Sequence, residues 1–183
     1  MNLPLFPLQM CILPNGYSKL RIFEPRYQRL VKESLKNGLG FGACMLDEDN
    51  KTLLPIGTRC NIIDFETLDD GLLGITIVGI DRFELGTYTI EKDGLKRGNV
   101  SALPAWQTLP IEAHQQKYTQ ILQDLLKEYP EHISQYKLDN FMDLSWVCQR
   151  WIEILPISPS EKQHCMSAKD PIPTLAMLND VLK

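Results

Sequence analysis

A chain of 183 residues with 44% hydrophobic and 23% charged residues can bury a core without disulfide or metal staples. Its formal charge of −4 excludes a simple phosphate-neutralising face, and no hydrophobic stretch approaches membrane-spanning length. Cys11, Cys44, Cys60, Cys148 and Cys165 are odd in number and too scattered for a C-x-x-C motif, so buried reduced thiols and a cytoplasmic address are expected.

The first ten residues, MNLPLFPLQM, lack a basic region and are broken by Pro4 and Pro7, so they do not read as a secretion signal. They read as an edge strand with Leu3, Leu5 and Leu8 as core anchors. Pro14, Asn15 and Gly16 make a turn. Residues 20–38 then form a strand, a sharp corner and a helix. Leu20 and Ile22 alternate with Lys19 and Arg21. Pro25 fits the first helical position, Tyr27, Leu30, Val31 and Leu35 recur at helical spacing, and Gly38 stops the run.

Residues 39–46 read as a strand in which Gly40 and Gly42 permit close approach of a neighbour. The acidic residues 47–50 form a solvated loop without the spacing or closing glutamate of an EF-hand, and no metal site is expected anywhere. Strands over 56–68 and 72–85 flank Asp70-Gly71, and Asp93-Gly94 returns the chain to 100–103. Both dipeptides fit type I′ hairpin turns. Both faces around Ile75 to Ile80 are mainly apolar, so this strand is expected to be central. Five or six strands with one helix describe a curled sheet or small barrel.

Pro104, Trp106 and Pro110 mark a connector. A helix carrying Tyr118, Ile121, Leu122, Leu125, Leu126 and Tyr129 is expected to end at Pro130. A second spans about 138–155, with apolar residues on more than one stripe. Ser158, Pro159 and Glu161 start a third with a capping box, and Asp170-Pro171 starts a fourth. The expected fold class is α+β: a β-rich lobe with one inserted helix over 1–107, then an all-helical lobe over 108–183.

LPLFPL at 3–8, ILP at 12–14, RIFEPRY at 21–27, Gly57-Thr58, GIDRF at 79–83 and ILP at 154–156 resemble the N-terminal, substrate-recognition domain of Lon proteases, in its stand-alone bacterial form. The likeness spans essentially the whole chain. It implies a PUA-like pseudo-barrel followed by a helical bundle, with both parts forming one domain. No G-x-x-x-x-G-K-[ST] phosphate loop is present, so neither ATPase nor protease chemistry is expected of these residues.

Arg21, Glu24, Pro25, Arg26, Tyr27, Gly79, Arg82 and Phe83 form the signature set. Its charges either grip a peptide or pin the strand-to-helix corner through Glu24 and an arginine. The second reading is preferred, since a guanidinium holds a carboxylate with two parallel bonds. Catalysis has little support. His114 and His132 have no obvious carboxylate or thiol partner, and His164 and Cys165 are helical neighbours that face different ways. No cofactor is expected.

The resemblance implies a non-catalytic module in protein quality control that binds unfolded or exposed apolar polypeptide segments, with a protease or chaperone as partner. Such binding needs an apolar groove, expected where sheet meets helices, with side chains able to repack. Met10, Phe41, Met45 and Trp106 are the candidates, and each also fits a core position. The alternative is an RNA-binding PUA-like domain using Lys92, Lys96 and Arg97, against which the acidic balance argues.

Overall fold

The computed structural model describes residues 1–183, which divide into two compact units, Met1–Leu103 and Pro104–Lys183. The first unit holds β1 (Asn2–Leu8), β2 (Tyr17–Ile22), α1 (Pro25–Asn37), β3 (Phe41–Leu46), β4 (Leu53–Thr67), β5 (Leu73–Ile90) and β6 (Lys96–Ala102). The sheet order is β2-β5-β4-β3-β1-β6, and β6 also pairs with β5. Five strands therefore close into a ring, and β2 lies outside it on the first half of β5. The expected pseudo-barrel with one inserted helix is this ring plus α1.

β1 is not the edge strand its prolines suggest. It pairs with β6 over Asn2 to Leu5 and in parallel with β3 over Leu5 to Leu8. Each half is paired on one side only, so Pro4 and Pro7 can each turn the side that lacks an N–H away from the ladder.

The hairpins also differ in type from the expectation. Gly71 N–H donates to Leu68 O and Gly94 N–H to Glu91 O, both at 2.8 Å. Only Gly71 (φ 83) and Gly94 (φ 90) have positive φ in these loops. Each is a three-residue loop, a type I turn closed by a left-handed glycine. In each, the preceding aspartate accepts the N–H two residues on: Leu72 to Asp70 and Leu95 to Asp93.

In α1, Glu24 is extended, Pro25 opens the first turn, and the Gly38 N–H closes on Ser34 O with φ 70. Tyr27, Leu30 and Val31 are buried as the spacing requires, but Leu35 is exposed and Ser34 takes the inward position. The Ser34 hydroxyl donates to Leu30 O at 2.7 Å, which satisfies it inside. These residues pack with Phe6, Ile12, Phe41, Ile75 and Ile77 in one core cluster. A second cluster, Leu3, Leu5, Cys44, Leu53, Phe83 and Val100, draws on every strand of the ring. Gly42 and Gly57 make room for it, since a Cβ on Gly57 would lie 2.5 Å from the Phe83 ring.

The second unit has no strand. After a single 3₁₀ turn over Ala113–Gln115 come α2 (Gln116–Leu126), a short α3 (Pro130–Ile133), a 3₁₀ stretch Leu138–Met142, α4 (Leu144–Ile154), α5 (Pro159–Ser167) and α6 (Ile172–Val181). α2 ends at Leu126, short of the expected stop at Pro130, which instead begins a helical turn of its own. The helix expected over 138–155 breaks at Asp143, whose carboxylate accepts Ser145 N–H at 3.0 Å and Leu109 N–H at 3.1 Å. An aspartate that can cap a new helix stops the old one, whatever the apolar period says. Every residue from Leu144 to Ile152 is buried. The capping box of α5 is formed: Glu161 N–H donates to Ser158 Oγ and Ser158 N–H to Glu161 Oε2. No helix is long and apolar enough to cross a membrane.

Candidate functional site

The four groove candidates lie in or against the cores. Phe41 is fully buried and tilted 6.0 Å from the Phe6 ring, and Met45 is 5% exposed. Met10 is half-buried against the α1 cluster, with Ser18 Oγ 3.5 Å from its sulfur. Trp106 belongs to the second unit, where its Nε1–H donates to Ala168 O at 2.7 Å. The structure brings Met10 and Phe41 into one cluster of the first unit.

The signature charges form separate contacts. Glu24 Oε1 accepts Arg26 Nη2 at 2.9 Å, and the Arg26 guanidinium also reaches Gly94 O and lies 4.9 Å over the Tyr27 ring. Tyr27 stacks on Phe6 with centroids 4.2 Å apart. Arg21 pairs with Asp70, outside the Glu24 contact. Arg82 is buried, and its backbone carbonyl accepts Leu103 N–H. Gly79 sits where a Cβ would meet Leu13 O at 2.2 Å. The corner is thus joined to the β5–β6 hairpin through Arg26.

Arg97 is withdrawn from any basic patch. Its Nη1 and Nη2 donate to Glu33 at 2.5 and 2.8 Å, and its Nε donates to Glu91 at 2.7 Å. Arg29 holds Asp93 with two 2.9 Å bonds. Three carboxylates, Glu33 of α1 and Glu91 and Asp93 of the hairpin loop, therefore pair with two arginines, Arg29 of α1 and Arg97 of β6, around the second hairpin.

Catalytic constellations do not assemble. His114 Nδ1 does have a carboxylate partner, Glu112 at 3.3 Å, but both side chains are exposed and no nucleophile accompanies them. His132 lies edge-on to Tyr129. His164 is exposed while Cys165 is buried, so the pair diverges as neighbours on a helix must. Burial pushes the thiols of Cys44 and Cys148 up to about 12, where they are protonated and inert. No group of three His, Cys, Asp or Glu residues could hold a metal ion.

What the second unit does offer is an open groove of about 430 Å³. Its lining comes from Pro110 and Ile111, from Gln116, Thr119, Gln120 and Gln123 of α2, and from Leu138, Phe141 and Met142 of the 3₁₀ stretch. None of these nine side chains is charged. Leu138 and Met142 are 79% and 71% exposed, the two most open large hydrophobic residues of the chain. Gln120 Nε2 donates to Asp124 at 3.2 Å, and Thr119 Oγ1 is buried without a hydrogen-bond partner. Primary amides carry both a donor and an acceptor, the complement of an amide backbone, while Leu and Met supply adaptable apolar contact. The spacing 116, 120, 123 on one helix face was the signal available in the sequence.

Residues 2–183 match the family model of the ATP-dependent protease La (LON) substrate-binding domain. The chain is similar to the crystal structure of a Lon N-terminal domain protein from Xanthomonas campestris, with a TM-score of 0.79, 27% identity, and coverage of 99% of this chain and 98% of that one. It is also similar in fold to the N-terminal domain of the Mycobacterium avium complex Lon protease, with a TM-score of 0.72, 14% identity, and coverage of 98% and 97%.

Proposed function

The chain belongs to the Lon substrate-binding domain family, and from that premise we propose that it is a non-catalytic module binding exposed apolar segments of polypeptides in protein quality control. One observation carries the reading: the groove between α2 and the 3₁₀ stretch is apolar, amide-rich and uncharged. A surface without charge offers nothing to a phosphate backbone and no acid or base for chemistry, whereas unfolded protein presents apolar side chains and unpaired amides. The occupant is an extended or partly unfolded segment, with its apolar side chains on Leu138 and Met142 and its amides near Gln116 and Gln123. Five free buried cysteines suit a reducing compartment such as the cytoplasm.

Fluorescence anisotropy of a labelled, reduced and alkylated polypeptide tests this, with labelled single-stranded and hairpin RNA titrated in parallel. Saturable, salt-tolerant polypeptide binding is expected, and the double variant Leu138→Glu, Met142→Glu weakens it at least tenfold. Undiminished binding by that variant, or salt-steep binding of RNA alone, overturns the reading.

A further inference from the structure

β4 runs on past the end of its neighbour. Its pairing with β3 stops at Cys60, opposite Phe41, whereas β4 continues to Thr67 with β5 alone beside it. Residues 62–67 therefore keep one backbone edge open, about 20 Å long at ~3.4 Å per residue. On this segment the Phe65 N–H donates to its neighbour's carboxylate, Asp64 Oδ1, at 2.8 Å. The Asp64 oxygen holds the place that the carbonyl of an added strand would take.

The side chains along the edge are unusual for an unpaired strand. Ile63 is 49% exposed and Phe65 63%, while Ile75, opposite Phe65, is buried. Open edges are normally blunted by lysine, proline or short length. This one carries only a register shift between Ile62 and Asp64, and carboxylates. Asp64, Glu66, Asp69 and Asp70 lie on the arm and its turn, against Lys19 and Arg21 of β2. Arg21 is already paired with Asp70. Asp64, Glu66 and Asp69 outnumber Lys19, so a second copy of the same acidic edge is repelled, and a positively charged strand is attracted.

We propose that residues 62–67 of β4 are a strand-addition site for an extended polypeptide segment in which basic residues alternate with apolar ones. The basic face of the incoming strand meets Asp64 and Glu66 and draws the Asp64 carboxylate off the Phe65 N–H. Its carbonyl then takes that N–H, and its apolar face covers Ile63 and Phe65. Backbone pairing supplies affinity, and the alternation supplies selectivity. The site lies in the first unit and does not depend on the groove.

The test uses the whole chain and three labelled decapeptides at about 0.15 M ionic strength, where charges beyond ~8 Å are screened: alternating Lys-Val, alternating Glu-Val and alternating Lys-Pro. The Lys-Val peptide is expected to bind saturably, at least tenfold tighter than Glu-Val. Lys-Pro, equal in charge but unable to pair as a strand, is expected to stay unbound. Thr67→Pro removes an N–H from the open side, two residues from Phe65, and weakens Lys-Val binding at least tenfold. Should that variant unfold, the exposed pair Asp64→Lys, Glu66→Lys decides, because it inverts the preference toward Glu-Val. Repeating the titrations in the Leu138→Glu, Met142→Glu background, whose groove no longer binds, reads the edge by itself, so failure of the groove and failure of the edge are told apart. Equal binding of Lys-Val and Lys-Pro, or no inversion in the charge-reversed pair, overturns the proposal.

Discussion

Gly57 of β4 and Phe83 of β5 are direct partners in the antiparallel ladder, and the missing side chain of one is filled by the aromatic ring of the other. A Cβ on Gly57 would sit 2.5 Å from Phe83 Cζ and 2.7 Å from Ala43 O. Neither the backbone oxygen nor a ring only 1% exposed can retreat. Gly57→Ala is therefore expected to destabilise the protein by about 1–3 kcal/mol, the usual range for overpacking a filled core. Urea unfolding checks it, and an unchanged midpoint would show that the ring interior has slack.

Two arginine contacts that look alike in sequence are expected to differ in worth. The Glu24–Arg26 pair is a single bond between side chains 38% and 30% exposed, so Glu24→Gln should cost under ~1 kcal/mol. Arg97 is held by two carboxylates at once, with its own side chain 23% exposed. Arg97→Met should cost about 1–2 kcal/mol, since it strips Glu33 and Glu91 of charge-assisted bonds together. Thermal unfolding of both variants ranks them.

Acid should act through the same cluster. The Arg97 hydrogen bonds hold the Glu33 carboxyl below its ordinary value of 4.5. Asp93 is likewise lowered, by the Leu95 N–H and then by Arg29. A carboxylate depressed in the folded state stabilises it fully above the unfolded pKa, and that contribution disappears as pH falls through the folded pKa. Stability is expected to decline from about pH 4.5 downward. In Arg97→Met the share due to Glu33 should vanish, flattening the decline. Melting curves taken between about pH 3 and 6 measure the difference.

All five cysteines are free and buried. Burial raises Cys44 and Cys148 to about 12 and also raises Cys165. The native protein should leave an aromatic disulfide reagent unreduced at pH ~8 over minutes, and unfolding it in guanidinium should release five equivalents. Rapid reaction of even one thiol in the native protein would contradict this.

Local signals were legible where one residue settles the backbone. Pro25 and Gly38 bound α1, Ser158 and Glu161 open α5, and both Asp-Gly pairs mark hairpins. Reading failed where partners are distant. The prolines of β1 say that part of each strand face is unpaired, but not that two different strands share the strand end to end. The run over 138–155 kept a helical period through Asp143, because periodicity ignores which N–H groups an aspartate can cap. The groove is not legible in residue type alone, because type does not tell an apolar side chain that is buried from one that is left exposed. Met10, Phe41, Met45 and Trp106 are apolar enough to be drawn inside, while Leu138 and Met142 stay out on a 3₁₀ turn.

The ring of strands closes through its most remote neighbours in sequence: Asn2 lies opposite Asn99, 97 residues later, with their side-chain amides bonded. At a synthesis rate of ~5–20 residues per second, β1 waits roughly 5–20 seconds for β6 to emerge. During that wait the alternation of Leu3, Leu5 and their prolines is uncovered. Pro4 and Pro7, which the finished sheet merely tolerates, then act as guards against premature pairing of a nascent strand with other chains. Closure of so long a loop also places this step late in folding, after the β4–β5 hairpin has supplied a surface on which the ends can meet.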